Sequence, residues 1–360
     1  MYQQLTRASG AQNNTVTMML FALVEVVMIV VGIVMANRLE QQKELNDVME
    51  DAKVLLLEVL DDLDRDIATS ATVIRHHATA SELADIVFQT PVDVSALAGA
   101  KLEIYRTIRF YSTFRTHNKG YRGLEAIHED LPQEWIDLYE SLGVVMEWTL
   151  EIEEYNKRYR EVIYDNIDHN IQHHAWWNFD THHRQQGEDF VAWSATHEAQ
   201  AQVHRALNYI GNLAHAAIQY RLAAVDMYQD IHTALKADFP IPAHHNERPY
   251  TLSNIENIAG EYTRIKTPGD LDHFPDRLEL TLQDSSLMCT SFGPGSRSTA
   301  RNLLVLGQPS DMSTPTMTSD VLFFSSDKGR QPLFKWRNDT LDVIHFSIER
   351  DSHYVKSRPN

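Results

Sequence analysis

The apolar run at residues 16–36 constrains this chain more than any other feature. It reads VTMMLFALVEVVMIVVGIVMA, which is 21 residues with one charged side chain, Glu25. About 20 apolar residues suffice to cross a bilayer as a helix. The run is too long for a typical signal-peptide core, and no A-x-A cleavage pattern follows it. It therefore predicts an uncleaved transmembrane helix at 16–37, preceded by a short tail at 1–15.

Glu25 lies near the middle of this span. A carboxylate there costs on the order of 3 kcal/mol in lipid, so we expect it to face protein. Five residues spaced by three and four positions share one helical stripe: Ala22, Glu25, Ile29, Gly32 and Ala36. Gly32 and Ala36 also form a small-xxx-small pair, which lets two helices approach closely. The stripe predicts association through the span, with a second copy or with a partner membrane protein.

The charge of the chain excludes one class of partner. The 360 residues carry 50 Asp and Glu against 32 Lys and Arg, a net charge of −18. Such an acidic chain is a poor ligand for a phosphate backbone, so no nucleic-acid partner is expected. The single cysteine, Cys289, excludes an intramolecular disulfide framework. Basic residues near the span slightly favour a cytoplasmic C-terminus, but this rule weakens for long translocated segments.

The span resembles a bacterial family of unknown function whose members have one Glu-bearing transmembrane anchor followed by a long acidic helix. The matching residues are Glu25, Val26, Val30, Val31, Gly32, Ile33, Ala36 and Asn37. The chain departs from the family pattern at Val24, commonly Gly, and at Arg38 and Leu39, where Trp usually follows the Asn. The resemblance covers residues 15–70. It implies a bacterial inner-membrane protein whose C-terminal part is periplasmic.

Residues 38–237 read as a helical stalk and bundle. Apolar residues recur at steps of three and four, with acids between them, and predict helices at 39–90, 93–116, 132–174 and 188–236. No Pro or Gly lies between Gly32 and Pro91, so the span should continue directly into the stalk. Short connections favour an antiparallel arrangement of the helices. The acidic run at 58–66 is expected to be a solvated face, with a divalent-cation site as the alternative.

Histidines are concentrated in one part of the chain, since eleven of the 18 fall between His169 and His245. Asp165, His169 and His173 follow one face of the third helix, and an i, i+4 pair of imidazoles can bind one zinc ion. His197 or His204, on the fourth helix, could complete such a site. No H-E-x-x-H or paired E-x-x-H motif is present. The alternatives are histidines hydrogen-bonded between helices and a pH sensor. Apart from zinc or another divalent metal here, no cofactor is expected.

The composition changes after residue 237. A Pro-rich linker is predicted at 238–254 and a small β domain at 255–360, with about seven short strands separated by turns. The unit resembles the lipocalin-like β domain that follows some exported serine-hydrolase-type enzymes. The resemblance rests on Ile258, Gly260 and Tyr262, on a strand and turn at 278–284, and on a hairpin at 333–348. It implies a binding or packing module without catalytic residues. The alternative is an unrelated β-meander that caps the helices.

The sequence therefore predicts an α+β protein. A transmembrane helix continues into an antiparallel α-helical bundle, and a small antiparallel β barrel or sandwich follows. No G-x-S-x-G, Walker A, G-x-G-x-x-G or S-x-x-K motif occurs, so no catalytic residues are predicted. The favoured function is a non-catalytic, membrane-anchored sensor, adaptor or ligand-binding scaffold. The alternatives are a metal-dependent hydrolase using the histidine cluster, and a cytoplasm-facing component of a membrane-associated defence system.

Overall fold

The structure is a computed structural model. It describes the backbone of residues 2–174, 177, 188–237, 239–242, 258–265, 275–283, 286–293, 301–305, 321–325, 333–337, 340–344 and 352–357. Side chains are described in these ranges except at 2–17, 20, 21, 134, 188, 286, 301, 302, 305, 321–325, 337 and 352–354. Most of the predicted linker, 243–254, lies outside the described residues.

The first helix, α1, runs without interruption from Tyr2 to Val87. It includes the predicted tail, the predicted span and the predicted stalk. Its side chains are exposed from Ala22 to Asp47, and the first buried one is Ala52. The absence of Pro and of further Gly explains this continuity, because nothing interrupts the backbone hydrogen bonds before Pro91.

Among the described residues, the other helices are α2 (Val94–Gly99), α3 (Lys101–Arg109), α4 (Lys119–Ala126), α5 (Gln133–His173), α6 (Glu188–Ser194) and α7 (His197–Ala234), with a 3₁₀ turn at His128–Asp130. The helices predicted at 39–90, 132–174 and 188–236 correspond to α1, α5 and α6 with α7. The prediction of one helix over 93–116 is wrong after Arg109. There, the side-chain amide of Asn156 bonds both the N–H and the C=O of Phe114 and so replaces helical hydrogen bonds.

Helices α1, α5 and α7 pack around one apolar core. Gln200 on α7 donates to the Val87 carbonyl at the end of α1, whereas Tyr220, further along α7, donates to Asp66. The partners run in opposite order, so these two helices are antiparallel. The spacing of apolar residues predicts an inner face on α7, and most of that face is buried: Val203, Ile210, Ala214, Ala217, Ala224, Tyr228 and Ile231.

The sequence predicts an inner face on α5 that the structure confirms only in part. The predicted residues are Trp135, Leu138, Leu142, Met146, Leu150, Tyr155, Tyr159, Ile163 and Ile167. Trp135, Leu142, Tyr159 and Ile163 are buried, but Leu150 is 70% exposed and Ile152 is buried instead. From Leu138 to Leu150 the predicted face advances by four residues at each of three steps. Each such step turns a helix by about 400°, so the face has drifted by about 120° at Leu150.

The acidic run at 58–66 is only partly a solvated face. Glu58 pairs with the Lys119 ammonium at 2.8 Å, and Asp62 accepts from the Gly120 N–H at 3.1 Å. Asp66 is fully buried and accepts from the backbone N–H of His117 at 2.8 Å. Three of the five acids therefore hold the segment before and at the start of α4 against α1.

In the described stretches of the C-terminal part, eight strands form a curled antiparallel sheet: β1 (Gly260–Arg264), β2 (Arg277–Gln283), β3 (Ser286–Phe292), β4 (Arg301–Val305), β5 (Val321–Ser325), β6 (Leu333–Arg337), β7 (Thr340–Ile344) and β8 (Ser352–Lys356). Each strand pairs with the next in the chain, and β8 returns to pair with β1, with Tyr262 opposite Lys356. The α+β class is confirmed.

One face of the sheet forms its own apolar core, which contains Ile258, Tyr262, Leu278, Leu280, Leu287, Cys289, Leu303, Phe334, Leu341 and Val343. Alternation along the strands turns the neighbouring side chains to the opposite face. Leu304, Leu333 and Ile344 belong to the apolar core of the helices. Between them, Lys335 is 5% exposed and forms an ion pair with Glu82 on α1. The sheet thus packs against the helical part through its outer face.

Candidate functional site

The described side chains of the predicted membrane span are not covered by any other described part of this chain. Among the described residues, one helix is long and apolar enough to cross a membrane, and it is the N-terminal part of α1. Its most apolar 18-residue window has a mean hydropathy of 2.1 and is 0% buried. A core helix of a soluble protein would bury such a window. The stripe of Ala22, Glu25, Ile29, Gly32 and Ala36 is exposed, and no heavy atom lies within 4 Å of a Cβ placed on Gly32.

The second candidate is a cluster of polar side chains at the far end of the helical part. The Nε2 atoms of His169 and His174 lie 3.1 and 2.7 Å from the same carboxylate oxygen, Glu198 Oε1. The three potential ligand atoms all lie within 4.8 Å of one another. Two imidazoles and a carboxylate this close together could supply three ligands to a cation. We call these three residues the distal cluster.

The end of α5 brings its two histidines together. Residues five apart on a helix point in directions about 140° apart and cannot share a ligand. His174, however, is the C-cap of α5 and has an extended backbone, with φ −128° and ψ 106°. This conformation turns its ring back to the side of His169. The two imidazoles can therefore face one carboxylate.

The start of α7 supplies the carboxylate. The side chain of Thr196 caps the helix by accepting from the Ala199 N–H at 3.3 Å. Glu198 stands in the first turn, where the partial positive charge of the helix end favours an anion. Its Oε1 atom also accepts from Trp193 Nε1 at 3.2 Å. The corner between α6 and α7 thus fixes both the helix start and the carboxylate.

A buried amide pair locks α5 to α7 beside the distal cluster. Asn170 donates to Gln202 at 2.8 Å, and Gln202 donates back at 2.9 Å. Asn170 follows His169 directly, and Gln202 stands one turn after Glu198. Both amides are buried, so each depends on the other for its hydrogen bonds. The pair fixes the register in which the histidines meet the glutamate.

Hydrogen bonding sets the charge of the cluster. Burial by itself raises the pKa of Glu198. The pKa is nevertheless lowered overall, because two kinds of interaction outweigh burial. Glu198 accepts hydrogen bonds from His174, Trp193 and His169, and it is attracted by the charge of His174. Glu198 is therefore a carboxylate near neutral pH. The side chains of His169 and Glu198 are 43% and 41% exposed, whereas that of His174 is 17% exposed.

Of the predicted metal ligands, the structure places only His169 in the distal cluster. His173 stacks on it at 4.2 Å between ring centres, but His173 Nδ1 donates to the His169 carbonyl. Asp165 and His197 are exposed, and His204 packs edge-on against Phe88 at 5.9 Å. The predicted set is therefore not gathered into one site by the described part of the chain. The prediction grouped histidines that share one face of α5, whereas the distal cluster combines residues from α5 and α7.

Aromatic rings line the neighbourhood of the distal cluster. His174 contacts Trp193 at 5.6 Å between ring centres, and Trp193 contacts Phe190 at the same distance. Beyond them, Tyr105 contacts Phe190 and the buried Trp177. These rings form one buried apolar cluster with the ends of α1 and α7. They give the histidines a rigid support on the protein side.

Sequence reasoning missed His174, Glu198 and Trp193. One signal was present for Glu198, because a Thr two residues before an acid is typical of a helix start. No spacing rule could have found His174, since its position depends on the way the chain leaves α5.

No protein-family model matches this chain, and no curated protein or solved structure was found that matches it.

Proposed function

We propose that this chain is a single-pass, membrane-anchored, non-catalytic protein of the bacterial inner membrane, acting as a sensor, adaptor or ligand-binding scaffold. One observation carries the proposal: α1 is a single helix that is bare and apolar over the predicted span and buried among α5 and α7 further on. The anchor and the body share one rigid element. A scaffold that presents a binding surface at a fixed position needs such a connection.

The stalk supports the same function. Between the span and the first buried side chain, Ala52, the helix is exposed for about 15 residues, or about 22 Å. This length separates the folded part from the lipid surface. The acidic charge of the body also disfavours contact with anionic lipids.

Association through the span is the second part of the proposal. The exposed stripe around Glu25 has no partner among the described residues. A carboxyl group in lipid is stabilised by hydrogen bonding across a helix–helix seam, and Gly32 and Ala36 allow the close approach that this requires. We infer a homo-oligomer or a complex with a partner membrane protein.

Membrane fractionation tests the anchor. We expect the full-length chain to stay in the membrane fraction after an alkaline carbonate wash and to be released by detergent. Recovery of a soluble chain shortened near residue 37 would instead show a cleaved signal segment and overturn the proposal.

A reporter that is active only in the periplasm, fused to the C-terminus, tests orientation. We expect activity. An inactive periplasmic fusion together with an active cytoplasmic reporter would support the cytoplasm-facing alternative.

Crosslinking tests association through the stripe. Glu25→Leu should reduce crosslinked oligomers in membranes, because it removes the interhelical hydrogen bond. The matched control is Glu44→Leu, which changes an exposed acid on the same helix outside the span. Equal crosslinking in all three proteins would contradict the role of the stripe.

A further inference from the structure

We propose that the distal cluster of His169, His174 and Glu198 binds one divalent transition-metal ion, with Zn²⁺ as the best match. The two imidazole Nε2 atoms both lie within hydrogen-bonding distance of the carboxylate Oε1 atom, and all three atoms lie within 4.8 Å of one another. Two histidines and one glutamate are a ligand set that zinc takes in proteins, with a fourth position left to water or another ligand.

The distances fit an ion after a small adjustment. Tetrahedral Zn²⁺ with bonds of about 2.0–2.1 Å places neighbouring ligand atoms about 3.3–3.4 Å apart. The two Nε2 atoms lie 3.1 and 2.7 Å from Glu198 Oε1. Each Nε2 atom therefore needs to move away from Glu198 Oε1 by only a few tenths of an ångström, and the two Nε2 atoms lie within 4.8 Å of each other. The carboxylate is on a partly exposed side chain, so it can make that small movement without a backbone shift.

The residues around the distal cluster hold its side chains in place, as the residues around the ligands of a metal site do. Residues that orient the ligands of a metal contribute to its affinity along with the ligands themselves. Here the Trp193 indole N–H holds the Glu198 oxygen, and the buried Asn170–Gln202 pair fixes the two helices next to it. The ligands are thus positioned before any ion arrives. The exposure of His169 gives an ion a path from solvent.

Protons compete with the metal at the distal cluster. A ligating imidazole must be unprotonated at Nε2, whereas a hydrogen bond to Glu198 requires a proton there. A neutral imidazole can free Nε2 by carrying its proton on Nδ1, whereas a doubly protonated imidazole cannot be a ligand, so acid weakens metal binding. Without metal, the same three residues form a hydrogen-bonded histidine–carboxylate cluster.

The test uses the full-length chain in detergent, stripped of metal with a chelator and then titrated with ZnCl₂ against a chromogenic zinc indicator. We expect one tight site per chain. Replacing a residue that is hydrogen-bonded to a metal ligand typically lowers metal affinity by about 10–100-fold. The loss of a direct ligand in His174→Gln or Glu198→Gln should therefore weaken binding by at least about tenfold.

The chain offers two matched controls. His173→Gln removes an imidazole stacked on His169 but outside the cluster, and His197→Gln removes the exposed neighbour of Glu198. Both should keep the affinity of the wild type. Co²⁺ binding provides a second readout, because its visible absorption reports a tetrahedral site and should disappear in Glu198→Gln.

Circular dichroism checks that each variant folds. If Glu198→Gln unfolds, the more exposed His169→Gln takes its place with the same expected loss. Three results would overturn the proposal: no stoichiometric zinc, unchanged affinity in the ligand variants, or an equal loss in the His173→Gln control. The last two would assign the zinc to dispersed surface histidines.

Discussion

The phenol of Tyr220 donates a 2.6 Å hydrogen bond to the carboxylate of Asp66 in the centre of the helical core. Both side chains are fully buried, and burial followed by the charge of Asp66 raises the pKa of Tyr220. Tyr220 therefore stays protonated, and its hydroxyl remains a hydrogen-bond donor to Asp66. This bond joins α1 to α7 at the level where His117 also reaches Asp66.

Tyr220→Phe removes one donor from this buried carboxylate. Hydrogen bonds to charged groups contribute about 1.5–3 kcal/mol, so we expect the free energy of unfolding to fall by about that amount. Urea denaturation in detergent measures it. Tyr164→Phe, at a ring that is 51% exposed, should change the same quantity by less than about 0.5 kcal/mol. Equal effects of the two variants would show that the Asp66 bond has no special weight.

The stability of the protein should depend on pH through Asp66. Burial raises its pKa, and hydrogen bonds from His117 and Tyr220 offset this only in part. The folded state therefore holds this proton more tightly than the unfolded chain. The contribution is complete below the ordinary aspartate pKa of about 3.9 and is lost as the pH rises through the raised value.

Comparison with Asp66→Asn isolates this effect. The free energy of unfolding of the wild type relative to Asp66→Asn should decrease from about pH 4 upward. The matched control is Asp61→Asn, which removes one carboxylate at an exposed position of the same helix. A constant difference for Asp66→Asn would contradict the raised pKa.

Gly120→Ala should destabilise the contact of α4 with α1. A Cβ at this position would lie 2.5 Å from the backbone N of Val59 and 2.9 Å from the backbone C of Glu58. Overpacking against backbone typically costs about 1–3 kcal/mol. On α5, Gly143→Ala meets no atom closer than 3.9 Å and should instead stabilise by about 0.5–1 kcal/mol, since Ala favours the helix. Thermal unfolding of the two variants should shift in opposite directions.

The Asn170–Gln202 pair predicts strong coupling between two residues. Asn170→Ala or Gln202→Ala alone leaves a buried amide without its partner, at about 1–3 kcal/mol each. The double variant leaves no orphaned amide, so its loss should be smaller than the sum by about 0.5–3 kcal/mol. Urea unfolding of the four proteins measures this. Strict additivity would show that the two amides do not depend on each other.

Lys335→Glu should loosen the sheet from the helical part. It places a second carboxylate opposite Glu82 at a buried position, where like charges repel strongly. We expect faster hydrogen exchange at β6 and at the end of α1. The charge exchange Lys335→Glu with Glu82→Lys should restore slow exchange in both. Failure of the restored pair to recover would indicate that the contact depends on packing alone.

Periodicity in the sequence predicted the long helices because their buried faces extend over many turns. Val203, Ile210 and Ala217 on α7 are buried as the pattern indicates. Seven of the eight strands also followed from alternation and turn residues. β8 was missed because its five residues, SHYVK, show no clear alternation of apolar and polar side chains, and the strand is defined by its pairing with β1 and β7.

Features that depend on contacts between distant segments were not predicted. The sequence NKGYRG at 118–123 is typical of a turn, yet most of it forms α4 because Gly120 lets the helix lie against α1. Similarly, the sequence alone predicts that Asp66 is a surface residue, whereas in the structure it is buried and accepts hydrogen bonds from His117 and Tyr220. Such positions depend on partners 51 and 154 residues away along the chain.

The contact of the sheet with Glu82 has a consequence for what the sheet can reach. Glu82 lies 46 residues beyond Ala36 on the same helix, or about 70 Å along the axis of a straight helix. With the proposed anchor tilted by as much as about 40° from the bilayer normal, this contact would lie about 50 Å above the end of the span. In that arrangement, the partner that we propose for the sheet at this contact is a diffusible molecule or a membrane protein that rises to this height.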